Sequence, residues 1–335
     1  MHAHRTPTLA RITLAITFAA AVAAAPPGHS ADARWKPERA VEIIAPTSPG
    51  AGLDTFARLI GRLLAENKLI EVPVTIVNKP GGGGAVGAAY LQQNPGDGHY
   101  LMLTNPPLLT NHIMGRNPIS YTDITPLAVL TLESTMFGVR ADSPLKTGRD
   151  LADRFKADPA SLSVGIASAA GNHNHIAVAQ MVKALGANPK SMRSVIFSGS
   201  GEAMTAMLGG HIDVINTSPS ALFPHFKAGR IRILAVTAEQ RLGGPFSSIP
   251  TCRELGMNVV ASGWRAAAGP KGLSEAQVRY WDGVFARLAQ LPEWKQHLEQ
   301  RQIENAYRNV RDTRKLMDAE YGKFKTLLAE LGLAK

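Results

Sequence analysis

The stretch Val74-Thr-Ile-Val-Asn-Lys-Pro-Gly-Gly-Gly-Gly-Ala-Val-Gly-Ala-Ala-Tyr90 passes from a β-branched run, through a glycine-rich turn, into a helix-like run. It contains the string G-x-G-x-x-G at Gly82, Gly84 and Gly87. That string marks a dinucleotide-binding loop when it occupies the first strand-to-helix turn of an α/β fold. The segment therefore predicts an α/β unit and poses the question of whether that unit binds a dinucleotide.

The context of the string argues against a dinucleotide. In a Rossmann unit an acidic residue at the end of the next strand binds the ribose hydroxyls. Here the next strand ends in Thr104-Asn105-Pro106, and Lys79-Pro80 lengthens a turn that has to be tight. The string also does not lie in the first strand-to-helix turn of the chain. We therefore interpret it as a close-packed turn at the edge of a cleft, and we expect no cofactor.

Strand-like and helix-like runs alternate on both sides of this segment, which predicts βαβ units and mostly parallel sheets. In the first series, strands are predicted at 41–45, 72–77 and 100–104, with helices at about 54–66 and 84–93. In the second series, strands are predicted at 162–167, 194–197, 212–216 and 231–236, with helices at 173–185, 202–208 and 220–228.

Two such series predict two lobes. Residues 126–140 are long enough to leave one sheet and enter the other, and 258–268 could form the return crossing. From Ser274 onward the pattern is helical, and these helices are expected to cover the first lobe. We therefore place lobe 1 at 34–137 and 264–335 and lobe 2 at 138–263. Two lobes joined by two crossings enclose a cleft, where ligands usually bind.

The N-terminus has the features of a secretory signal peptide. A basic region at 1–11 precedes an apolar run at 12–25, and Ala31-Asp-Ala33 offers small residues for cleavage. We predict a signal peptide over 1–33, cleaved near Ala33, and a periplasmic location; an uncleaved membrane anchor is the alternative. The single cysteine, Cys252, rules out an intrachain disulfide, so a hydrophobic core has to stabilise the fold.

The charge balance suits an anionic solute better than a nucleic acid. The formal net charge of +10 makes the surface attractive to anions. However, lysine and arginine are spread along the chain, without a basic block or interleaved aromatic residues. We therefore expect no binding of nucleic acid.

No residue pattern predicts catalysis or a metal site. Neither Ser198 nor Ser200 lies in a G-x-S-x-G turn, and Cys252 has no recognisable partner. His173 and His175 are two residues apart at a helix start, so their imidazoles point in different directions. We predict no catalytic residue and no metal ligand.

Three loops each end a strand and open a helix, namely 48–54, 167–173 and 198–202. Free amides at a helix N-terminus, together with the helix dipole, form an anion site, and glycine lets a ligand approach closely. In two facing lobes such loops can converge on one cleft. The pattern predicts a carboxylate bound by backbone amides from both lobes, although each loop alone is typical of ordinary capping.

Four segments carry a resemblance to a known family. Ala45-Pro-Thr-Ser-Pro-Gly-Ala-Gly-Leu-Asp-Thr-Phe-Ala-Arg58 resembles the pattern P-x-x-x-G-G-x-x-D-x-x-A-R, and Val77-Asn-Lys-Pro-Gly-Gly-Gly-Gly-Ala-Val-Gly87 resembles N-[KR]-P-G-[AG]-G-G-x-x-G. Segments 95–101 and 199–213 resemble a P-D-G-Y-T-L turn and a second-lobe loop, helix and strand. In this order they resemble the periplasmic solute-binding proteins of tripartite tricarboxylate transporters, the Bug family.

The resemblance implies a two-lobed Venus-flytrap fold that closes on a small mono-, di- or tricarboxylate and delivers it to membrane permease subunits. It implies a non-enzymatic protein, which we expect to be a monomer. An exported receptor that signals to a membrane sensor and an exported enzyme on the same scaffold are the alternatives. The residues that the resemblance places at the ligand are Ser48, Gly50, Ala51, Gly52, Asp54, Gly171, Asn172, His175, Ser198, Gly199, Asn216, Thr217 and Ser218.

The sequence departs from the family pattern at three of these loop positions. Ala51 replaces a common glycine, Leu53 a common threonine and Asn172 a common serine. The loss of a hydroxyl at Leu53 removes one donor and argues against the small acidic substrates usual in the family. Leu53 and Trp264 would favour a ligand with an apolar or aromatic part, unless both belong to the core.

Overall fold

The computed structural model describes residues 1–3, 35–167 and 169–335. The predicted signal peptide and its cleavage near Ala33 therefore lie almost entirely outside the described residues.

The first sheet has six strands in the order β11-β4-β10-β3-β1-β2. These strands are β1 Val41–Ala45, β2 Val74–Asn78, β3 Tyr100–Thr104, β4 Ile124–Ser134, β10 Ser262–Pro270 and β11 Glu304–Arg308. Strands β1, β2 and β3 are parallel, whereas β10 runs antiparallel to β3 and β4, and β11 antiparallel to β4.

The second sheet has five strands in the order β7-β6-β8-β5-β9. They are β5 Met136–Arg140, β6 Ser163–Ala167, β7 Arg193–Phe197, β8 Val214–Thr217 and β9 Ile231–Val236. Again three strands, β6, β7 and β8, are parallel, and β5 is antiparallel to both β8 and β9.

Both sheets are thus mixed, where the sequence pattern predicted mostly parallel ones. The parallel part of each sheet is the βαβ series that the alternation indicated. The antiparallel part comes from the segments that pass between the sheets: the chain leaves on β4 and β5 and returns after β9 on β10, so the outgoing and returning strands run in opposite directions. Periodicity does not show this, because it reports burial and not strand direction.

Helices cover both faces of the two sheets. They are α1 Gly52–Glu66, α2 Ala85–Gln92, α3 Pro107–Ile113, α4 Gly148–Ala157, α5 His173–Ala184, α6 Ser200–Leu208, α7 Pro219–Lys227, α8 Glu275–Leu288, α9 Pro292–Gln300 and α10 Val310–Glu330. The helices predicted from the sequence are present, with ends that differ by at most two residues. Helices α3 and α4 and strand β11, which interrupts the helical C-terminal part, were not predicted.

The core consists of apolar layers on the two faces of each sheet. In β1, Ile43 packs with Phe56 and Trp281 on one face, while Ile44 packs with Trp264 and residues of α10 on the other. This alternation follows from the two-residue period of a strand. Helices α8 and α9 belong to the first layer and α10 to the second, so the C-terminal helices cover the first sheet as expected.

The two sheets are joined at a hydrogen-bonded hinge. The chain leaves the first sheet at Ser134 and enters the second at Met136. Between them, Thr135 N donates to Thr237 Oγ1 at 2.9 Å, and Thr237 N donates to Thr135 O at 2.9 Å. On the returning segment, Ala261 N donates to Thr237 O at 3.1 Å. The outgoing and returning segments are therefore tied together. The exact lobe boundaries, 137/138 and 263/264, stay a prediction.

Candidate functional site

Helix α1 begins with its first amides uncovered. Its N-cap residue is Ala51, which has no side-chain oxygen, and no side chain caps the helix among the described residues. Ser48, Gly50 and Gly52 around it are exposed. The first N–H groups of a helix have no partner within the helix and carry its positive partial charge. This N-terminus is therefore able to accept an anion.

The loop before α1 is held in shape by Asp54, whose side chain is 1% exposed. Asp54 Oδ2 accepts from Gly50 N at 2.7 Å, and Oδ1 accepts from Asn78 Nδ2 at 2.8 Å. Arg58 Nε donates to Oδ2 at 3.0 Å. The Arg58 and Gly50 hydrogen bonds, opposed by burial, lower the pKa of Asp54 to about 2. Asp54 thus fixes the loop instead of facing the exposed surface.

In the corresponding loop of the second lobe, before α5, side chains of the loop itself accept the protons of its amides. Asn172 is the N-cap, and its side chain accepts from His175 N at 3.0 Å. Gly171 N donates to His175 Nδ1 at 3.0 Å. All three residues are buried, Asn172 to 8% and His175 to 6% exposure. The structure therefore brings Gly171, Asn172 and His175 together, but as partners of one another.

The imidazole of His175 also touches Ser194, in an arrangement that argues against a nucleophile–base pair formed by these two residues. His175 Nε2 lies 3.3 Å from Ser194 Oγ. Because Nδ1 accepts the Gly171 amide proton, the neutral ring carries its own proton on Nε2 and donates it to Ser194. Burial lowers the pKa of His175, which favours this neutral form. The ring therefore cannot withdraw the Ser194 proton.

Two further helix starts of the second lobe lie side by side. Helix α6 has Gly199 as N-cap, and no side chain of the described residues caps it. Ser198 before it is exposed, and both its N and its Oγ donate to Glu202 Oε2, at 3.0 and 2.6 Å. Ser200 Oγ lies 2.8 Å from Thr217 Oγ1, which joins this loop to the end of β8. The uncapped start of α6 is the second-lobe counterpart of α1.

The remaining predicted residues follow β8. Asn216 is fully buried, and its Nδ2 donates to Met136 O at 3.3 Å, near the hinge. Its Oδ1 has no partner among the described residues. Ser218 is the N-cap of α7 without capping it, and its Oγ lies 3.0 Å from Ser220 Oγ. Asn216 and Thr217 are thus buried supports, whereas Ser218 is partly accessible.

A cavity of about 140 Å³ lies in the first lobe beside the start of α1. It is formed by the loop after β1, the glycine-rich turn and the end of β3, where Thr47, Leu53, Gly84, Thr104 and Asn105 line it. The predicted ligand residues did not include Thr47, Thr104 or Asn105. The signal was present, because Thr104-Asn105 ends a strand at the same sheet edge as the other loops.

Leu53 and Trp264, which the sequence allows either at the ligand or in the core, lie in different places. Leu53 lines this cavity, although its side chain is only 5% exposed. Trp264 is 1% exposed and belongs to the apolar layer under α10, and its indole nitrogen has no partner among the described residues. Leu53 thus lies beside the candidate site, while Trp264 is a core residue.

A charged cluster lies on β10 next to the hinge. Arg265 donates to Glu133 Oε2 at 3.1 Å, and its guanidinium lies 5.0 Å from the centre of the Phe56 ring. On α5, burial and then the charge of Arg265 lower the pKa of His173 to about 4. His173 is therefore neutral near pH 7 and adds no repulsion to Arg265.

In the described part of the chain, no group of three or more His, Cys, Asp and Glu side chains is placed to hold a metal ion. Cys252 is buried, and burial raises the pKa of its thiol to about 12, so the thiolate is scarce at neutral pH. Among the same residues, none of the helices has the length and apolar character needed to cross a membrane.

The fold agrees with a known family, whose sequence model also matches the chain. Three parallel strands in each sheet end at one edge and open helices there, and the hinge joins the two sheets. Residues 60–333 match the family described as the tripartite tricarboxylate transporter family receptor, TctC. The chain belongs to this family. It is a solute-binding receptor of the TctC and Bug type, and the expected fold class is confirmed as two α/β sheets flanked by helices.

Several curated and solved proteins are similar over most of the chain. A Cupriavidus necator protein, the UPF0065 protein in the gbd 5' region, is 28% identical over 332 residues, which cover 98% of both chains. BugT of Bordetella pertussis is 28% identical over 241 residues, covering 70% of this chain and 72% of that one.

Two solved structures share the architecture. A TctC solute-binding protein from Polaromonas aligns with a TM-score of 0.77 and 28% identity, covering 88% of this chain and 99% of that one. The Rpa4515 protein of R. palustris, solved with adipate, aligns with a TM-score of 0.72 and 25% identity, covering 89% and 99%. The fold and family expectations are therefore confirmed.

Proposed function

We propose that this receptor captures a small organic carboxylate in the cleft between its lobes, without covalent chemistry, and delivers it to a tripartite tricarboxylate-type permease. It acts in the periplasm, after removal of a signal peptide that ends near Ala33. Lobe 1 comprises 34–137 and 264–335, lobe 2 comprises 138–263, and the protein works as a monomer.

The observation that carries the proposal is the uncapped start of α1. Ala51 offers no side-chain oxygen, and Asp54 holds the loop from behind, so the exposed amides around Gly52 need an external acceptor. A carboxylate oxygen supplies two lone pairs to such amides and is stabilised by the helix dipole. The adipate in the related Rpa4515 structure supports an organic carboxylate as the ligand.

The predicted residues divide into two roles in this proposal. Those that meet the ligand are Ser48, Gly50, Ala51, Gly52, Ser198, Gly199 and Ser218. Those that hold the loops in place are Asp54, Gly171, Asn172, His175, Asn216 and Thr217. The division rests on burial, because the residues of the first group are exposed or partly exposed and those of the second group are buried.

The hydrogen bonding of His175 supports a non-covalent role for this residue and Ser194. Because His175 Nε2 carries the ring proton and donates it to Ser194, the imidazole is not free to accept the Ser194 proton as a general base would. Membership of a family of binding proteins agrees with this interpretation.

Isothermal titration calorimetry tests the proposal with a panel of acetate, butanoate, hexanoate, adipate, malate and citrate, each beside a neutral analogue such as hexanamide. We expect at least one carboxylate to bind with one site per chain and its amide to bind far more weakly. No binding by any carboxylate, or equal binding of acid and amide, would refute carboxylate capture. Recovery of a chemically altered ligand by NMR would refute the non-enzymatic role.

A further inference from the structure

The glycine-rich turn that resembles a nucleotide loop bonds part of its own backbone. Gly84 N donates to Gly81 O at 3.0 Å, and Ala85 N donates to Gly82 O. The turn also forms one wall of the 140 Å³ cavity beside α1, through Gly83 and Gly84.

The start of helix α3 also lines the cavity and offers few backbone donors. Pro106 is its N-cap and Pro107 its first residue, and proline has no N–H. The next amide, Leu108 N, donates to Asn105 O at 3.0 Å. None of the described residues that line the cavity carries a charge. Inside it a carboxylate would meet only neutral donors, such as the Thr47 hydroxyl, and no charged partner, so its desolvation would be poorly offset.

The cavity is instead mostly apolar. Leu53, Met102 and Leu108 line it, together with two prolines. Its polar groups are neutral, and one of them, Thr47 Oγ1, is buried with no hydrogen-bond partner among the described residues. For scale, an apolar cavity of ~150 Å³ accommodates benzene. The space suits an aliphatic group of up to about six carbons with at most one neutral polar atom.

The cavity and the anchoring amides belong to one loop. Thr47 and Leu53 flank the exposed segment around Gly50, and Leu53 directly follows Gly52 in the first turn of α1. A ligand whose carboxylate meets these amides therefore has the cavity next to it.

Resting on the proposed carboxylate site, we infer that this cavity is the subsite for the ligand tail. The substrate class is then a monocarboxylate with a short, uncharged aliphatic tail, and di- and tricarboxylates are disfavoured. Each methylene that enters the cavity raises the affinity by about fourfold.

Calorimetry with acetate, butanoate, hexanoate, adipate and citrate tests this inference on the wild type and two variants. Leu53→Thr introduces a hydroxyl into the cavity. Leu59→Thr is the matched control, because Leu59 lies on the same helix with the same 5% exposure but away from the cavity. We expect hexanoate to bind about 16-fold more tightly than butanoate, and more tightly than adipate or citrate.

For the variants, we expect Leu53→Thr to weaken hexanoate about tenfold and leave acetate unchanged, whereas Leu59→Thr changes neither. Tighter binding of adipate or citrate than of hexanoate, or an equal effect of Leu53→Thr on acetate and hexanoate, would overturn the inference while leaving carboxylate capture intact. Failure of every carboxylate to bind would instead overturn the proposed function.

Thr104→Val provides a second variant in case Leu53→Thr does not fold. Thr104 lines the cavity at 3% exposure, and valine keeps its shape while removing the hydroxyl. We expect tighter binding of hexanoate and weaker binding of 6-hydroxyhexanoate. An unchanged ratio of the two affinities would contradict a tail in this cavity.

Discussion

The loops before α1 and α5 share a sequence pattern but differ in the capping of their helices and in their burial. Each follows a buried parallel strand, contains a glycine with positive φ, Gly50 or Gly171, and opens a helix. The first leaves its helix uncapped and its glycine exposed. The second satisfies its donors with Asn172 and His175 and is buried. In both loops the glycine amide is held by the residue four positions later, Asp54 or His175. The loops differ at the N-cap, because Asn172 caps α5 whereas Ala51 offers the first amides of α1 no side-chain acceptor.

The largest difference between the loops is expected from alanine at the two glycines. Both have φ near +80°, so alanine strains both backbones by roughly 1–2 kcal/mol. Among the described residues, a Cβ at Gly50 meets no atom within 4 Å, whereas one at Gly171 would lie 2.8 Å from Met114 Sδ. We expect Gly50→Ala to lower the free energy of unfolding by about 1 kcal/mol and Gly171→Ala by about 3 kcal/mol. Equal losses in urea denaturation would show that the second loop is not packed as described.

The next largest effect concerns the Asp54 clamp, by which we mean the hydrogen bonds that the Asp54 carboxylate accepts from Gly50 N, Asn78 and Arg58. Its folded pKa of about 2 lies below the usual value of 3.8. The ionised clamp therefore stabilises the fold by about 2 kcal/mol above roughly pH 4, and this stabilisation is lost as the pH falls from about 4 to 2. Asp54→Asn should remove it at pH 7 and leave little difference from wild type at pH 2. Chemical denaturation at both pH values measures this, with the exposed Asp153→Asn as control; a pH-independent loss would contradict the clamp.

The smallest effects are expected from two substitutions, one that removes the N-cap side chain of α5 and one that adds an N-cap side chain to α1. Asn172→Ala should destabilise the protein by about 1 kcal/mol, because α5 loses its N-cap. Ala51→Ser should stabilise it by about 0.5–1 kcal/mol, since the new hydroxyl caps α1. The same hydroxyl should weaken carboxylate binding by competing for the free amides. Denaturation and calorimetry on both variants test the exchange, and tighter carboxylate binding by Ala51→Ser would contradict open amides at α1.

Much of the fold follows from the sequence, because burial repeats with a period of two or 3.6 residues. Helix α3 is not evident in the sequence, because it is only seven residues long and its N-cap and first residue are both prolines. Strand β11 was missed because it is a short edge strand between two helices, α9 and α10. Strand direction at the hinge depends on pairing between residues more than a hundred positions apart, such as Thr135 and Thr237.

The site was only partly predictable for a related reason. The sequence identifies helix starts and their glycines, but not which amides are already bonded. The hydrogen bond from Gly171 to His175 Nδ1 depends on loop geometry and ring orientation, so the α1 and α5 loops looked alike in sequence. In the sequence, Thr104 and Asn105 mark the end of a strand that carries no acidic residue, whereas in the structure they line the cavity.

The most direct test of the account compares Gly52→Pro with Gly52→Ala by calorimetry with hexanoate. Gly52 is the first helical residue of α1, where proline is well tolerated, and a Cβ there meets no atom within 4 Å. Both variants should fold, but only proline removes the amide proton. Loss of one hydrogen bond to a charged group predicts roughly 10- to 100-fold weaker binding for Gly52→Pro and nearly unchanged binding for Gly52→Ala. Equal hexanoate affinity of the two variants would contradict anchoring of the carboxylate by the start of α1.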